Sequence, residues 1–169
     1  MPPTRRSTLF RKETGPADTL EGVRVLALFG VLLLAGCGSA PAPKVSDPTA
    51  EAWYGETVAQ LAAIDRDASA AFENHKPDEA AALIEKGKPL MQKVLDVRQP
   101  TLGAAEAASD LDALSGRMLL SNRHYEWAEF LFQKNRSRWK NWTPQTAETE
   151  RRRKQAEAAI QECDRHIGE

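Results

Sequence analysis

Residues 101–132 read "TLGAAEAASDLDALSGRMLLSNRHYEWAEFLF", and this stretch decides the fold. Leu102, Ala105, Ala108, Leu111, Leu114, Met118 and Leu119 recur at steps of three and four residues, the period of a helix with one buried face. The pattern predicts a helix over Thr101–Ser121. After a short polar break it resumes over Tyr125–Trp139, on Ala128, Leu131, Phe132 and Trp139. Two helices joined by so few residues fold back on each other as a hairpin.

Upstream, the same period runs from Pro48 to about Glu73, on Tyr54, Val58, Leu61, Ala68 and Phe72, with Trp53, Ile64 and Ala71 beside them. Asp47-Pro48 supplies a cap followed by a proline at the first helical position. A second helix starts at Pro77, with Asp78 and Glu79 at its positive end. Its stripe is Ala80, Ile84, Leu90, Met91, Val94 and Leu95. Pro89 lacks the N–H for one intrahelical bond, which predicts a kink or a short break there, and Pro100 closes the helix. Downstream, Thr143-Pro144 repeats the cap-then-proline form ahead of a last helix carrying Ala156, Ala159, Ile160, Cys163 and Ile167. No stretch alternates with period two over a useful length. The expected fold is all-α: a small antiparallel bundle of stacked helix hairpins.

Gly116, Leu119, Tyr125, Ala128 and Phe132 fall at the spacing of a tetratricopeptide motif, and this hairpin resembles that family. Small residues at such positions let two helices approach closely. The pattern departs from the family at Ser115, Asn135 and Lys140, where an apolar residue, a small residue and a proline are usual. A related set, Ala68, Ala80 and Ile84, lies 48 residues upstream, against the 34 of a tetratricopeptide repeat. The resemblance implies stacked hairpins with a groove that holds a peptide or helix.

"QKNRSRWKNW", residues 133–142, interleaves Lys134, Arg136, Arg138 and Lys140 with Trp139 and Trp142. Cations gather at a helix C-terminus for electrostatic reasons, and indoles there can pack inward. The same residues, if exposed, suit an acidic or phosphate-bearing partner. Trp127 stands beside the Ala128–Phe132 stripe and is the indole least explained by a core. The candidate partner surface is therefore Tyr125, Trp127, Arg136, Arg138, Trp139 and Trp142. Glu148 precedes Arg152 by four residues and Glu150 precedes Lys154 by four, pairs that support a solvated helix face. Cys163 and His166 could share a face, but two ligands at a helix end make a poor metal site, and Cys163 reads as a small core residue.

The 169 residues carry a net charge of −1, with 23 Lys and Arg against 24 Asp and Glu. That balance favours neither nucleic acid nor an anionic membrane. The charge is unevenly spread: residues 37–114 carry 7 basic and 13 acidic side chains, and residues 115–169 carry 11 and 8. Such halves can attract each other inside one bundle or offer different faces to partners. The sequence holds no Gly-rich phosphate loop, Gly-x-Ser-x-Gly elbow, His-Glu-x-x-His or Cys-x-x-Cys. It points to no enzyme and no cofactor.

The N-terminal region carries an address. Arg5, Arg6, Arg11 and Lys12 precede an apolar run from Val23 to Gly36, broken only by Arg24. About 14 residues are too few to span a bilayer and suit the apolar region of an export signal. The run ends in Leu34-Ala35-Gly36-Cys37, which resembles the lipobox of bacterial lipoproteins. A start near Val23 would leave a more compact signal, and "TRRSTLF" (4–10) faintly resembles a twin-arginine export motif. The lipobox implies cleavage before Cys37, a diacylglycerol on its thiol, and firm membrane anchoring, since stable attachment takes about two acyl chains. Gly38 is not the Asp associated with inner-membrane retention, so the resemblance implies the outer membrane, facing the periplasm. Residues 1–36 are then a signal peptide, 37–47 a lipidated cysteine and Pro-rich tether, and 48–169 the helical domain. The expected function is an envelope adaptor or scaffold that binds a protein partner and no nucleic acid. A helical bundle that binds a small ligand, a metal or peptidoglycan is the alternative.

Overall fold

The computed structural model describes residues 46–168. The expected signal peptide, Leu34, Ala35, Gly36, Cys37 and most of the expected tether lie outside the described residues. Within 46–168 the protein is all-helical: α1 (Ala52–Glu73), α2 (Pro77–Leu95), α3 (Leu102–Ser121), α4 (Tyr125–Asn141) and α5 (Ala147–Ile167). α1 packs on α2 and α4 on α5; α3 joins the two pairs by packing on α1, α2 and α4.

The centre of the molecule is α3. Four alanines, Ala104, Ala105, Ala107 and Ala108, are buried in its first two turns, followed by Leu111, Leu114, Gly116 and Met118. Short side chains on so many faces let three helices approach one axis. The larger apolar cluster lies among α1, α2 and α3, around Tyr54, Leu61, Ile84, Val94, Leu111 and Leu114. A smaller one, of Ala128, Phe132, Ile160 and Cys163 with Leu119 and Leu120, joins α4 and α5 to the end of α3. A Cβ at Gly116 would stand 2.7 Å from the Phe132 ring, so this glycine sets the approach of α3 to α4. Leu102 and Ile167, expected in the core, are 39% and 43% exposed at the helix ends.

Two helix starts and one expected break differ from expectation, each for a local reason. Asp47 does cap, but it caps a 3₁₀ turn over Pro48–Ala50, and α1 opens only at Ala52. α2 runs unbroken through Pro89. Pro89 and Glu85, whose carbonyl loses its bond, are both exposed, so water can satisfy that oxygen. α5 begins after Thr146, not at Thr143. The Thr146 side chain accepts from the Thr149 N–H, and the Thr149 hydroxyl accepts from the Thr146 N–H, a reciprocal cap that Thr143 does not make. Just before it, Gln145 Nε2 donates to the carbonyls of Trp139 and Trp142 at 2.9 and 2.6 Å, closing α4.

The two hairpin turns share one geometry. Asn74-His75-Lys76 and Asn122-Arg123-His124 each place their middle residue in the left-handed region, at φ 58° and 63°. In each, the next N–H reaches back five residues, Lys76 to Ala71 and His124 to Leu119, both at 2.9 Å. These are Schellman caps without glycine. Ala80 and Ala128, 48 residues apart, are each fully buried one turn later, so the α1–α2 turn recurs at α3–α4.

Candidate functional site

The basic, Trp-rich segment divides into two faces of α4. Its inner face forms a buried polar seam with α3. Asp112, 4% exposed, accepts from Lys134 Nζ at 3.0 Å and from Arg138 Nη2 at 2.9 Å. Asn135 donates to the Ser109 carbonyl at 2.9 Å and accepts from Arg138. The Trp139 indole N–H donates to Ser109 Oγ at 2.8 Å. Trp139 is fully buried, with the Arg152 guanidinium 5.3 Å from its ring centroid. Trp139 is therefore no part of an accessible surface. Arg138 is withdrawn from the candidate surface too, since its side chain is 12% exposed and its charge is committed to Asp112. Asn135 thereby ties α4 to a backbone carbonyl of α3.

The outer face of α4 is different. Trp127 is 68% exposed and Phe130 59%, three residues apart and so neighbours on the helix surface. Sequence reasoning placed Trp127 outside but missed Phe130, whose position beside Leu131 and Phe132 hides it within an apolar run. Arg136 is exposed further along the helix. Tyr125 is half-buried and stacks on His166 at a centroid distance of 4.6 Å, tying the start of α4 to the end of α5. Trp142 is likewise half-buried, its ring 6.1 Å from that of Trp139. One turn from Trp127, Leu131 enters an apolar groove of about 340 Å³ between α2, α3 and α4, lined by Ile84, Met91, Met118 and Leu119.

A second, polar cleft of about 740 Å³ opens between α1, α3 and α5. Asp65 of α1 and Asp110 of α3 line it with Arg117 and Arg152. Arg152 Nη1 bonds Asp110 Oδ1 at 2.5 Å. Asp65 has no such donor: its Oδ1 is buried without a hydrogen bond. Burial first, and the negative Asp110 second, push the Asp65 carboxyl up to about 6, against the pull of Arg117, Arg66 and Arg152. No sequence pattern marked Asp65, because Asp110, Arg117 and Arg152 reach it from helices more than 40 positions away. In the first turn of α5, Glu148 is held down at about 2 by the hydrogen bond from Arg151, and it also meets Arg152 at 2.8 Å as the spacing predicted. Glu150 reaches Lys154 at 3.6 Å. Cys163 is fully buried, and burial pushes its thiol up, away from the reactive thiolate. Among the described residues no helix is long and apolar enough to cross a membrane.

No protein-family model, curated protein or solved structure matches this chain. The functional reading therefore rests on the chain's own sites: an aromatic outer face on α4 and a charged cleft between α1, α3 and α5.

Proposed function

We propose that this protein is a lipid-anchored adaptor of the bacterial envelope, tethered through Cys37 and holding a protein partner on the outer face of α4. The observation that carries the reading is the exposed pair Trp127 and Phe130. Two large aromatic rings side by side in water are an unfavourable arrangement, with roughly 25 cal/mol per Å² of apolar surface to be regained on contact. Such patches mark interaction sites, and aromatic side chains dominate the energetics of protein interfaces. The groove beside Leu131 extends the same face, so an apolar partner segment can lie across α4 and α2. The lipobox-like Leu34-Ala35-Gly36-Cys37 supports the address. The Pro-rich residues that follow support a short tether, which would hold the domain near the membrane at high local concentration.

The test is photocrosslinking in intact cells from a reactive side chain installed at position 127, with mass spectrometry of the captured proteins. One or two dominant envelope proteins, lost when Cys37→Ala prevents anchoring, are expected. Capture that is diffuse, or that persists with Cys37→Ala, contradicts the anchored adaptor.

A further inference from the structure

We propose that the outer face of α4 is a self-association surface, on which α4 of a second copy of this chain lies antiparallel. The inference rests on the reading of that face as a docking surface, and it names the occupant. Glu126, Phe130, Gln133, Ser137 and Lys140 are all exposed. They follow one another at steps of four and three residues, so they form one stripe down the helix. At about 100° per residue, the stripe lies opposite the buried Ala128, Phe132, Asn135 and Trp139. No helix among the described residues covers it.

The order of charge along the helix selects the occupant. Glu126 and Glu129 stand in its first half, Arg136 and Lys140 in its second. The fold commits Lys134 and Arg138 to Asp112, but among the described residues Glu126, Arg136 and Lys140 make no ion pair. A second α4 laid antiparallel, with Gln133 opposite Gln133, brings Glu126 to Lys140 and Glu129 to Arg136. Two-fold symmetry makes each of these pairs twice. A parallel pair would instead set like charge on like, which is repulsive, and would align the two helix dipoles. The antiparallel register also seats Phe130 between Gln133 and Ser137 of the second copy, where the small serine leaves room for a ring. A two-fold axis across the helices brings like sides together. Glu129 and Arg136 share one side of the stripe, and Trp127 and Leu131 lie on the other, so the pairs meet and Trp127 edges the contact. One helix face is small against the roughly 1,200 Å² of stable interfaces. The pairing is therefore weak in free solution and favoured where anchoring to one membrane raises the effective concentration.

The test traps the pair by oxidation in the full-length chain carrying Cys37→Ala, where the remaining native thiol, Cys163, is fully buried. Gln133→Cys stands opposite itself in the proposed register. Copper phenanthroline is expected to link it into a dimer about ten-fold faster than Ala59→Cys, an exposed position on α1. Glu126→Lys and Lys140→Glu, each added to Gln133→Cys, are each expected to slow the link about five-fold by setting like charges together. The two variants mixed are expected to link to each other at the rate of Gln133→Cys alone, since each supplies the charge the other has lost. Misfolding of either variant cannot produce that rescue. Equal rates at positions 133 and 59, a link indifferent to either charge change, or a mixture that stays slow overturns the self-pairing. Capture of other proteins from position 127 would then leave the docking face standing with a different occupant, and loss of that capture as well would remove both.

Discussion

Asp65 carries an unusual energetic signature. Its carboxyl is raised from 3.8 to about 6 in the folded chain, so the native state holds that proton more tightly than the unfolded one. The stabilising contribution is full below 3.8 and is lost as the pH rises through about 6. With the group half-buried and partly screened, the penalty at neutral pH is about 1 kcal/mol. Asp65→Asn should therefore stabilise the protein by about 1 kcal/mol at pH 7.5 in urea denaturation, and the gain should vanish near pH 3.5. Tyr54 is the opposite case. Its hydroxyl, 2% exposed as a residue, donates to the Val94 carbonyl at 3.1 Å and accepts from the Thr101 N–H at 3.0 Å, pinning α1 to the α2–α3 connection. Tyr54→Phe leaves both backbone groups without a partner and should cost about 2 kcal/mol. Arg138→Ala should also cost about 2 kcal/mol, because Asp112 stays buried with only Lys134 to pair it.

The helices were legible wherever one face meets the core. The stripes on α1, α2 and α3 name Tyr54, Leu61, Ala68, Ile84, Val94, Leu111 and Leu114, all of them buried. Hydrophobic period carries that information directly. On α4 it names Ala128, Phe132 and Trp139, all buried, and misses Asn135, a polar residue 3% exposed on the same face. A sequence scan sees cations and indoles alternating there, and cannot see that Arg138 and Lys134 point at Asp112 from another helix. Boundaries were less legible than stripes, since Thr143 and Thr146 both look like caps and only the reciprocal bond with Thr149 chooses between them. The paired turns give a prediction at this scale. His75 and Arg123 hold left-handed backbone conformations at φ 58° and 63°, where a side chain costs roughly 1 kcal/mol relative to glycine. His75→Gly and Arg123→Gly should each raise the melting temperature by a few degrees, in proportion to a gain of about 0.5–1 kcal/mol.

Across the whole molecule, the uneven charge of the two halves of the sequence is spent partly inside the fold. Asp112 and Asp110 of the acidic half meet Lys134, Arg138 and Arg152 of the basic half across α3. That use removes Arg138 and Trp139 from any docking surface and leaves Trp127 and Phe130 as the unexplained apolar exposure. One helix thus carries two sets of residues: an inner set that holds the fold and an outer set proposed to hold a partner. The most direct test compares Trp127→Ala/Phe130→Ala with Arg138→Ala, measuring urea stability and crosslinked capture in intact cells for both. The outer pair should lose capture with stability changed by less than about 0.5 kcal/mol, while Arg138→Ala should lose stability first. Undiminished capture by the Trp127→Ala/Phe130→Ala variant would contradict the assignment of the partner face to α4.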